Sequence, residues 1–424
     1  MEPLMPRLLR PVGRPPGCYF RPGYWNHTAV AEHLAGGQFG ALTGVIFEAS
    51  HSLRQQDLLS EVLARKAEAI LDTEMMELAT LGGFAQREAR RLPWAGQVPH
   101  SVGSLGTSSA RQELVKSIVS FVEGRRFTAV LAPSHLLNRG IDDPWLAVDQ
   151  EFTHLLRDQL DRAGLGEVLI YYPLAIPTRI FADARQRRSL RTALSTLPID
   201  ALWLRVYPFG NRSGPTSVRR LIEACPDFHH AIRPLVAERV GIEGLALLAF
   251  GAVGAVGSGI AAGEHFDATA LQRIPQRSEK GFGPRRRLYL ADLQAYLPVD
   301  RAEQLFEIRG MKSLCACKDE GCCRRGVDDM LRDSRGHFMR QRLREVASLG
   351  RIPETLRPQR YLQDVLWRAT DKMLRAAKIE AALGPAQRRL EGLRRTLSDL
   401  ERQGELTSFS AVPQGRRLEF RKGA

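Results

Sequence analysis

Between about residues 30 and 310, short apolar runs alternate with longer amphipathic stretches, and this alternation restricts the folds open to the chain more than any other feature. The runs lie at 42–47, 69–71, 128–131, 168–172, 201–206 and 245–250. Each is brief and continuously apolar, as expected of a strand covered on both faces. The stretch 110–123 places Leu114, Ile118, Val119 and Val122 at helical spacing, and 145–163 does the same with Phe152, Leu155, Leu156 and Leu160. Strands separated by helices must pair in parallel, because each crossover returns the chain to the same end of the sheet. Six such units in one run predict an α/β chain built on a closed (β/α)8 TIM-like barrel. The division expected is an aromatic, basic N-terminal arm at 1–30, a barrel at 31–310, a Cys-rich subdomain at 311–345 and a helical, basic extension at 346–424.

The composition, 44% hydrophobic and 25% charged over 424 residues, excludes wholesale disorder. The segment 244–263 carries no charge and has the length of a membrane span. Its glycines, its flanking Glu243 and Glu264, and the lack of an aromatic or basic belt favour a buried strand followed by a Gly-rich loop. No membrane association is expected, and with no apolar leader the location expected is cytoplasmic. In the tail, Leu390, Leu393, Leu397 and Leu400 mark an amphipathic helix beyond Gly384-Pro385, too short for a stable coiled coil and expected to pack on its own domain.

The formal net charge of +14 creates a field that attracts polyanions. The excess is clustered. Arg7, Arg10, Arg14 and Arg21 accompany Tyr19, Phe20, Tyr24 and Trp25, a mixture suited to phosphate contact and base stacking. Arg285, Arg286 and Arg287, with Arg277 upstream, form a second group, and Arg388, Arg389, Arg394 and Arg395 a third.

Four of the six cysteines fall within nine residues, at Cys315, Cys317, Cys322 and Cys323, and His337 follows. Three thiolates and an imidazole make a closed tetrahedral zinc site, which would staple a loop rather than perform chemistry. Cys315, Cys317 and His337 are the expected ligands with either Cys322 or Cys323, of which Cys322 is preferred. Two carboxylates follow expected strands or loops at the end where barrel active sites form: Asp72 after Ala69-Ile70-Leu71, and Asp267 in Glu264-His265-Phe266-Asp267. Together they could serve as nucleophile and general acid/base.

These stretches resemble the tRNA-guanine transglycosylase family, zinc-stapled β/α barrels that exchange guanine for a 7-deazaguanine. The resemblance spans roughly residues 40–345 and is carried by the Cys/His loop, by Phe266-Asp267-Ala268 with Arg273-Ile274-Pro275-Gln276-Arg277 and Gly281-Phe282 downstream, and by Ile70-Leu71-Asp72. It implies that Asp267 attacks the sugar, that Asp72 moves the proton on the departing and incoming bases, and that a structural zinc is bound. By position it also implies that Ser134 or His135 bonds a base edge and that Tyr207 and Phe209 sandwich the base. The sequence departs from the family where Thr73-Glu74-Met75-Met76-Glu77 replaces Ser-Gly-Gly-Phe-Gln, where four residues rather than two precede the third Cys, where Ala132-Pro133-Ser134-His135 replaces a base-reading Phe-Asp-Glu-Cys, and where Val206-Tyr207-Pro208-Phe209 replaces Gly-Gly-Leu. These departures and the basic ends fit the family's divergent DNA-acting branch better than its tRNA-acting one. The partners implied are DNA in preference to tRNA, a 7-deazaguanine base, and other DNA-modification proteins. The readings set beside it are a tRNA enzyme with altered base contacts and a zinc-containing nucleic-acid binder without catalysis.

Overall fold

Eight parallel strands close into a barrel in the order β1 (Gly17–Arg21), β2 (Gly44–Glu48), β3 (Glu68–Asp72), β4 (Ala129–Leu131), β5 (Leu169–Pro177), β6 (Ala201–Tyr207), β8 (Leu235–Glu238) and β9 (Ala255–Gly259). The structure is a computed structural model that describes residues 15–37, 42–211, 213–229, 234–260, 264–274, 286–404 and 408–413. Closure is made by β1 against β9, from Gly17 opposite Ala255 to Arg21 opposite Gly259. Two short antiparallel pairs stand outside the barrel: β7 (Phe209–Gly210) with β10 (His265–Phe266), and the hairpin of β11 (Arg287–Leu290) and β12 (Ala295–Pro298).

The barrel predicted from the alternation is therefore present, with two changes in how the chain builds it. Gly17–Arg21, whose Gly, Arg and aromatic composition reads as part of an irregular arm, is the strand that completes the barrel, and Tyr19, Phe20 and Arg21 are buried there. The apolar run expected as a strand at 245–250 is instead a buried helix, Gly244–Ala249, and the strand follows it at Ala255–Gly259. Among the described residues no helix is long and apolar enough to cross a membrane.

Side chains alternate in and out along each strand, so one set fills the barrel and the other meets the surrounding helices. The inward set includes Tyr19, Ile46, Ile70, Leu131, Tyr171, Trp203 and Val236. Near the barrel floor, Glu68 accepts hydrogen bonds from the hydroxyls of Tyr19 and Tyr171, at 3.3 and 2.6 Å. Gly44 makes room for this arrangement, since a Cβ there would meet Glu68 Cβ at 2.7 Å and Tyr19 Cδ1 at 3.1 Å. The helices Ser108–Arg125 and Trp145–Arg162 bury the apolar faces expected of them. In the tail helix Gly384–Gln403 all four leucines are buried, and it packs on Pro215–Ala224 of its own chain.

Candidate functional site

The C-terminal ends of the strands carry a closed ring of charges. Arg21 at the end of β1 donates through Nε to Glu238 at 2.5 Å and through Nη2 to Asp72 at 2.7 Å. Arg205 on β6 repeats the pattern, through Nε to Glu238 at 2.8 Å and through Nη2 to Asp72 at 2.6 Å. Trp203 Nε1 adds a third donor to Glu238, and Glu48 lies 3.4 Å from Arg21. The guanidinium fork makes this possible, because each arginine reaches two carboxylates with fixed geometry.

The ring decides the state of Asp72. Burial alone would raise its pKa, but Arg205 and Arg21, together with the Glu74 amide, hold the carboxyl well below the usual carboxylate range. Glu238 is brought down to about 2 by Arg205, Arg21 and Arg239 against the same burial. Asp72 is thus ionised and committed to two arginines, an arrangement that does not suit the proton-carrying role its sequence position suggests. Its role here is to hold the ring. Asp72→Ala should lower unfolding free energy by about 3–5 kcal/mol, because two buried guanidinium groups lose their shared partner. Denaturant titration checks this, and an unchanged midpoint would mean that the ring contributes no net stability.

Beside the ring lies a carboxylate of opposite character. Glu77, in the short helix Met75–Leu78, has an Oε2 that is buried without a hydrogen-bond partner. Burial raises its pKa, and Asp72 raises it further, against the pull of Arg205 and Arg239. A carboxyl group so placed favours its protonated form, the requirement for a general acid. Sequence reasoning passed over Glu77, whose signal is its position five residues beyond the strand-end Asp72.

Asp267 follows β10, and Phe266 just before it packs with Tyr207, Met76, Leu136, Ala175 and Ala268. Phe266 meets the Tyr207 ring edge-on at 5.7 Å, and Arg239 lies over its face. Among the described residues, the half-buried Asp267 accepts local hydrogen bonds through Oδ1, from Thr269 N at 3.0 Å and Thr269 Oγ1 at 2.8 Å. Burial pushes the Tyr207 hydroxyl up to about 12, Arg179 opposes this, and Asp143 and Asp267 add to it. Its hydroxyl hydrogen-bonds Asn138 Oδ1 at 2.5 Å. Asp267 thus follows directly on Phe266, the residue that touches the Tyr207 ring.

The other expected base contacts are buried in the fold. His135 is buried against helix Trp145–Arg162, stacked on Trp145 with ring centroids 3.7 Å apart, and its Nδ1 is 2.6 Å from Asp149. Ser134 beside it is also buried. Phe209 is 1% exposed and belongs to the main core, so its sequence-based role as one side of a base sandwich is replaced by packing. Arg286 is exposed but spends Nη2 on the carbonyls of Leu331 and Arg332, at the end of helix Val327–Arg332. Arg287 is exposed at the start of β11, while Arg277 and Arg285, like Arg7, Arg10 and Arg14, lie outside the described residues. Arg21 is removed from any nucleic-acid surface by its place in the ring.

The metal-ligand group consists of Cys317, Cys322, Cys323 and His337, whose ligand atoms all lie within 4.8 Å of one another. Cys322 and Cys323 sulfurs are 3.8 Å apart, and His337 Nδ1 is 3.4 and 3.2 Å from them. A tetrahedron with Zn–S bonds of about 2.3 Å has S···S edges of about 3.8 Å, so this donor set fits zinc. His337 Nε2 lies 2.9 Å from the Tyr289 carbonyl, which fixes the tautomer that presents Nδ1 to a metal. The sequence reading put Cys315 in this group and left Cys322 and Cys323 as alternatives. The structure gathers both of the latter and leaves Cys315 out. Cys315 ends helix Met311–Cys315, where its sulfur turns back to the Met311 carbonyl at 3.2 Å and burial pushes its thiol up to about 12.

No family model matches the chain, and no curated protein sequence matches it significantly. Solved structures similar to it include a GH18 chitinase from Pseudoalteromonas aurantia, at 11% identity over 57% of this chain and 93% of that one, with a TM-score of 0.36. The HpcH/HpaI aldolase from Desulfitobacterium hafniense DCB-2 aligns at 9% identity over 58% of this chain and 87% of that one, with a TM-score of 0.33. The endo-1,4-beta-xylanase XylE of Penicillium canescens aligns at 10% identity over 57% of this chain and 81% of that one, with a TM-score of 0.36. All three are enzymes, and at this level of likeness their activities carry nothing to this chain.

Proposed function

We propose that the protein is a nucleic-acid base-exchange enzyme, a pentosyltransferase that replaces guanine in DNA with a 7-deazaguanine base. What supports this reading is an aspartate, Asp267, next in the chain to Phe266, which packs on Tyr207, and followed in the chain by a Cys3His metal-ligand group. Asp267 Oδ2 attacks the anomeric carbon while the bond from that carbon to guanine breaks, leaving a sugar ester on the enzyme. The departing base takes a proton from Glu77, and the incoming deazaguanine returns one to the Glu77 carboxylate as its ring nitrogen displaces Asp267. Dividing the exchange this way avoids a free oxocarbenium ion. Glu77 takes the proton-carrying part because its environment and that of Asp72 push their pKa values in opposite directions. Glu77→Gln should slow exchange by about 10²–10⁴-fold, the usual contribution of a general acid. A rate within twofold of wild type would remove Glu77 from the mechanism.

Cys317, Cys322, Cys323 and His337 would hold a structural zinc, which when bound cross-links the loop to helix Ser334–Gly350. That helix packs against β1, with Phe338 edge-on to Phe20 at 6.2 Å, so the cross-link supports the barrel wall rather than the chemistry. On duplex DNA the target nucleotide must leave the stack, which costs a few kcal/mol and is offset by cationic contacts to phosphate. The test is an exchange assay with radiolabelled guanine and, in parallel, duplex DNA, single-stranded DNA and tRNA. Label entering DNA supports the proposal. Label entering tRNA alone moves the substrate to RNA, and label in none of them rejects base exchange.

A further inference from the structure

A cavity of about 480 Å³ lies between β7, β10, the β11–β12 hairpin and the tail helix Gly384–Gln403. None of the residues lining it is Asp72, Glu77, Tyr207 or Asp267. Its wall contains Glu264, which is 2% exposed and whose two carboxylate oxygens have no side-chain hydrogen-bond partner among the described residues. The Gly259 amide and Arg342 favour its charged form, but a carboxylate buried this deeply with so few donors is costly, and native structures rarely retain one without a use.

The surroundings define what would satisfy it. His265 on the same wall has an unpartnered Nδ1, a further acceptor or donor according to tautomer. The other polar groups of the wall are largely committed: Arg389 to Glu243 and to the Asn211 carbonyl, and Gln294 Nε2 to Ala291 O and Glu345. Tyr296 accepts from Arg342 at 3.5 Å and keeps its own O–H for donation. The groups left open on this wall are therefore the Glu264 carboxylate, His265 Nδ1 and the Tyr296 hydroxyl, with the exposed cation Arg287 beside them.

We propose that this cavity is a small-molecule site for ligands that present two parallel N–H donors, held as a bidentate pair on Glu264. Guanidines and the 2-amino-lactam edge of a purine share this chemistry. The site is independent of the base-exchange reading, since it uses none of its residues. Burial pushes Glu264 up to about 7, with Arg342 pulling the other way and Glu243 adding to the rise. A ligand that needs the ionised form therefore binds more tightly as pH increases through neutrality.

The experiment is calorimetric titration of the full, metal-loaded chain with agmatine and, separately, with guanosine, using inosine as the control that lacks the 2-amino group. Binding of agmatine alone identifies the guanidine class. Binding of guanosine but not inosine identifies the purine edge. In either case Glu264→Gln, which keeps side-chain size, should weaken binding at least tenfold, and Ala386→Trp, which fills the cavity from the tail helix, should abolish it. Asp267→Ala should leave the affinity unchanged. The proposal is overturned if neither probe binds at millimolar concentration, if Glu264→Gln binds as wild type does, or if binding disappears in Asp267→Ala and persists in Glu264→Gln.

Discussion

Asp267→Ala should abolish base exchange, with a loss of at least about 10³-fold, while the protein stays folded and keeps its affinity for nucleic acid. The separation of these effects follows from where Asp267 sits. Among the described residues its hydrogen bonds reach the Thr269 amide and hydroxyl alone, a local cap on the turn Ala268–Gln272 whose removal costs about 1 kcal/mol. It shares no partner with the Arg21–Asp72–Arg205–Glu238 ring, so the barrel does not depend on it. Labelled-guanine incorporation, melting temperature and a filter-binding isotherm on the same preparation provide the check. Exchange at the wild-type rate would reject the nucleophile, and a collapse of melting temperature would recast Asp267 as structural. Asp267→Asn is the complementary variant: it keeps the cap acceptor and lacks the nucleophilic charge, so it should be equally inactive and at least as stable as the alanine variant.

The second large effect concerns the metal. Purified protein should contain one zinc per chain, and Cys323→Ser should lose it, with melting temperature falling by roughly 10 °C or more. Binding free energies of structural zinc reach about 10–16 kcal/mol in peptide sites, comparable to the stability of a whole domain. Cys315→Ser is the decisive companion. Its sulfur points to the Met311 carbonyl and lies outside the ligand group, so this variant should retain a full equivalent of metal. Metal analysis of the two proteins distinguishes the site in the structure from the one that cysteine spacing suggests. Zinc retained in Cys323→Ser and lost in Cys315→Ser would reverse the assignment.

Why spacing failed at Cys315 is instructive. Cys-x-Cys looks like a ligand pair, but here the first cysteine closes a helical turn and the second begins the loop, so the two sulfurs diverge. Adjacent Cys322 and Cys323 look like alternatives, yet a turn closed by hydrogen bonds from both of their amides to the Asp319 carbonyl brings both to His337. Barrel strands with β-branched or aliphatic runs, such as Gly44–Glu48 and Ala201–Tyr207, were legible because burial on both faces demands such residues. Gly17–Arg21 and Ala255–Gly259 were not, since glycine and arginine mark loops and surfaces unless a partner is known. Their composition is explained only by the closed barrel, in which Gly257 makes room for Trp203 and Glu238, and Arg21 finds two acids. The apolar run at Gly244–Ala249 fits a buried helix as well as a buried strand, an ambiguity that hydrophobic periodicity does not resolve. At the candidate site, the sequence singles out Asp267 through its neighbours, whereas Glu77 becomes prominent only after Asp72 is seen to be occupied by two arginines.

The seam between β1 and β9 has a consequence for how the molecule comes into being. β1 pairs with a strand made roughly 240 residues later, so the sheet has two open edges, on β1 and β9, until that seam closes. During that interval the unpaired backbone of those edges is a template for other chains. An N-terminal truncation beyond residue 21 would make the interval permanent, and such a fragment should aggregate through its sheet edges even though most of its helices and strands are intact.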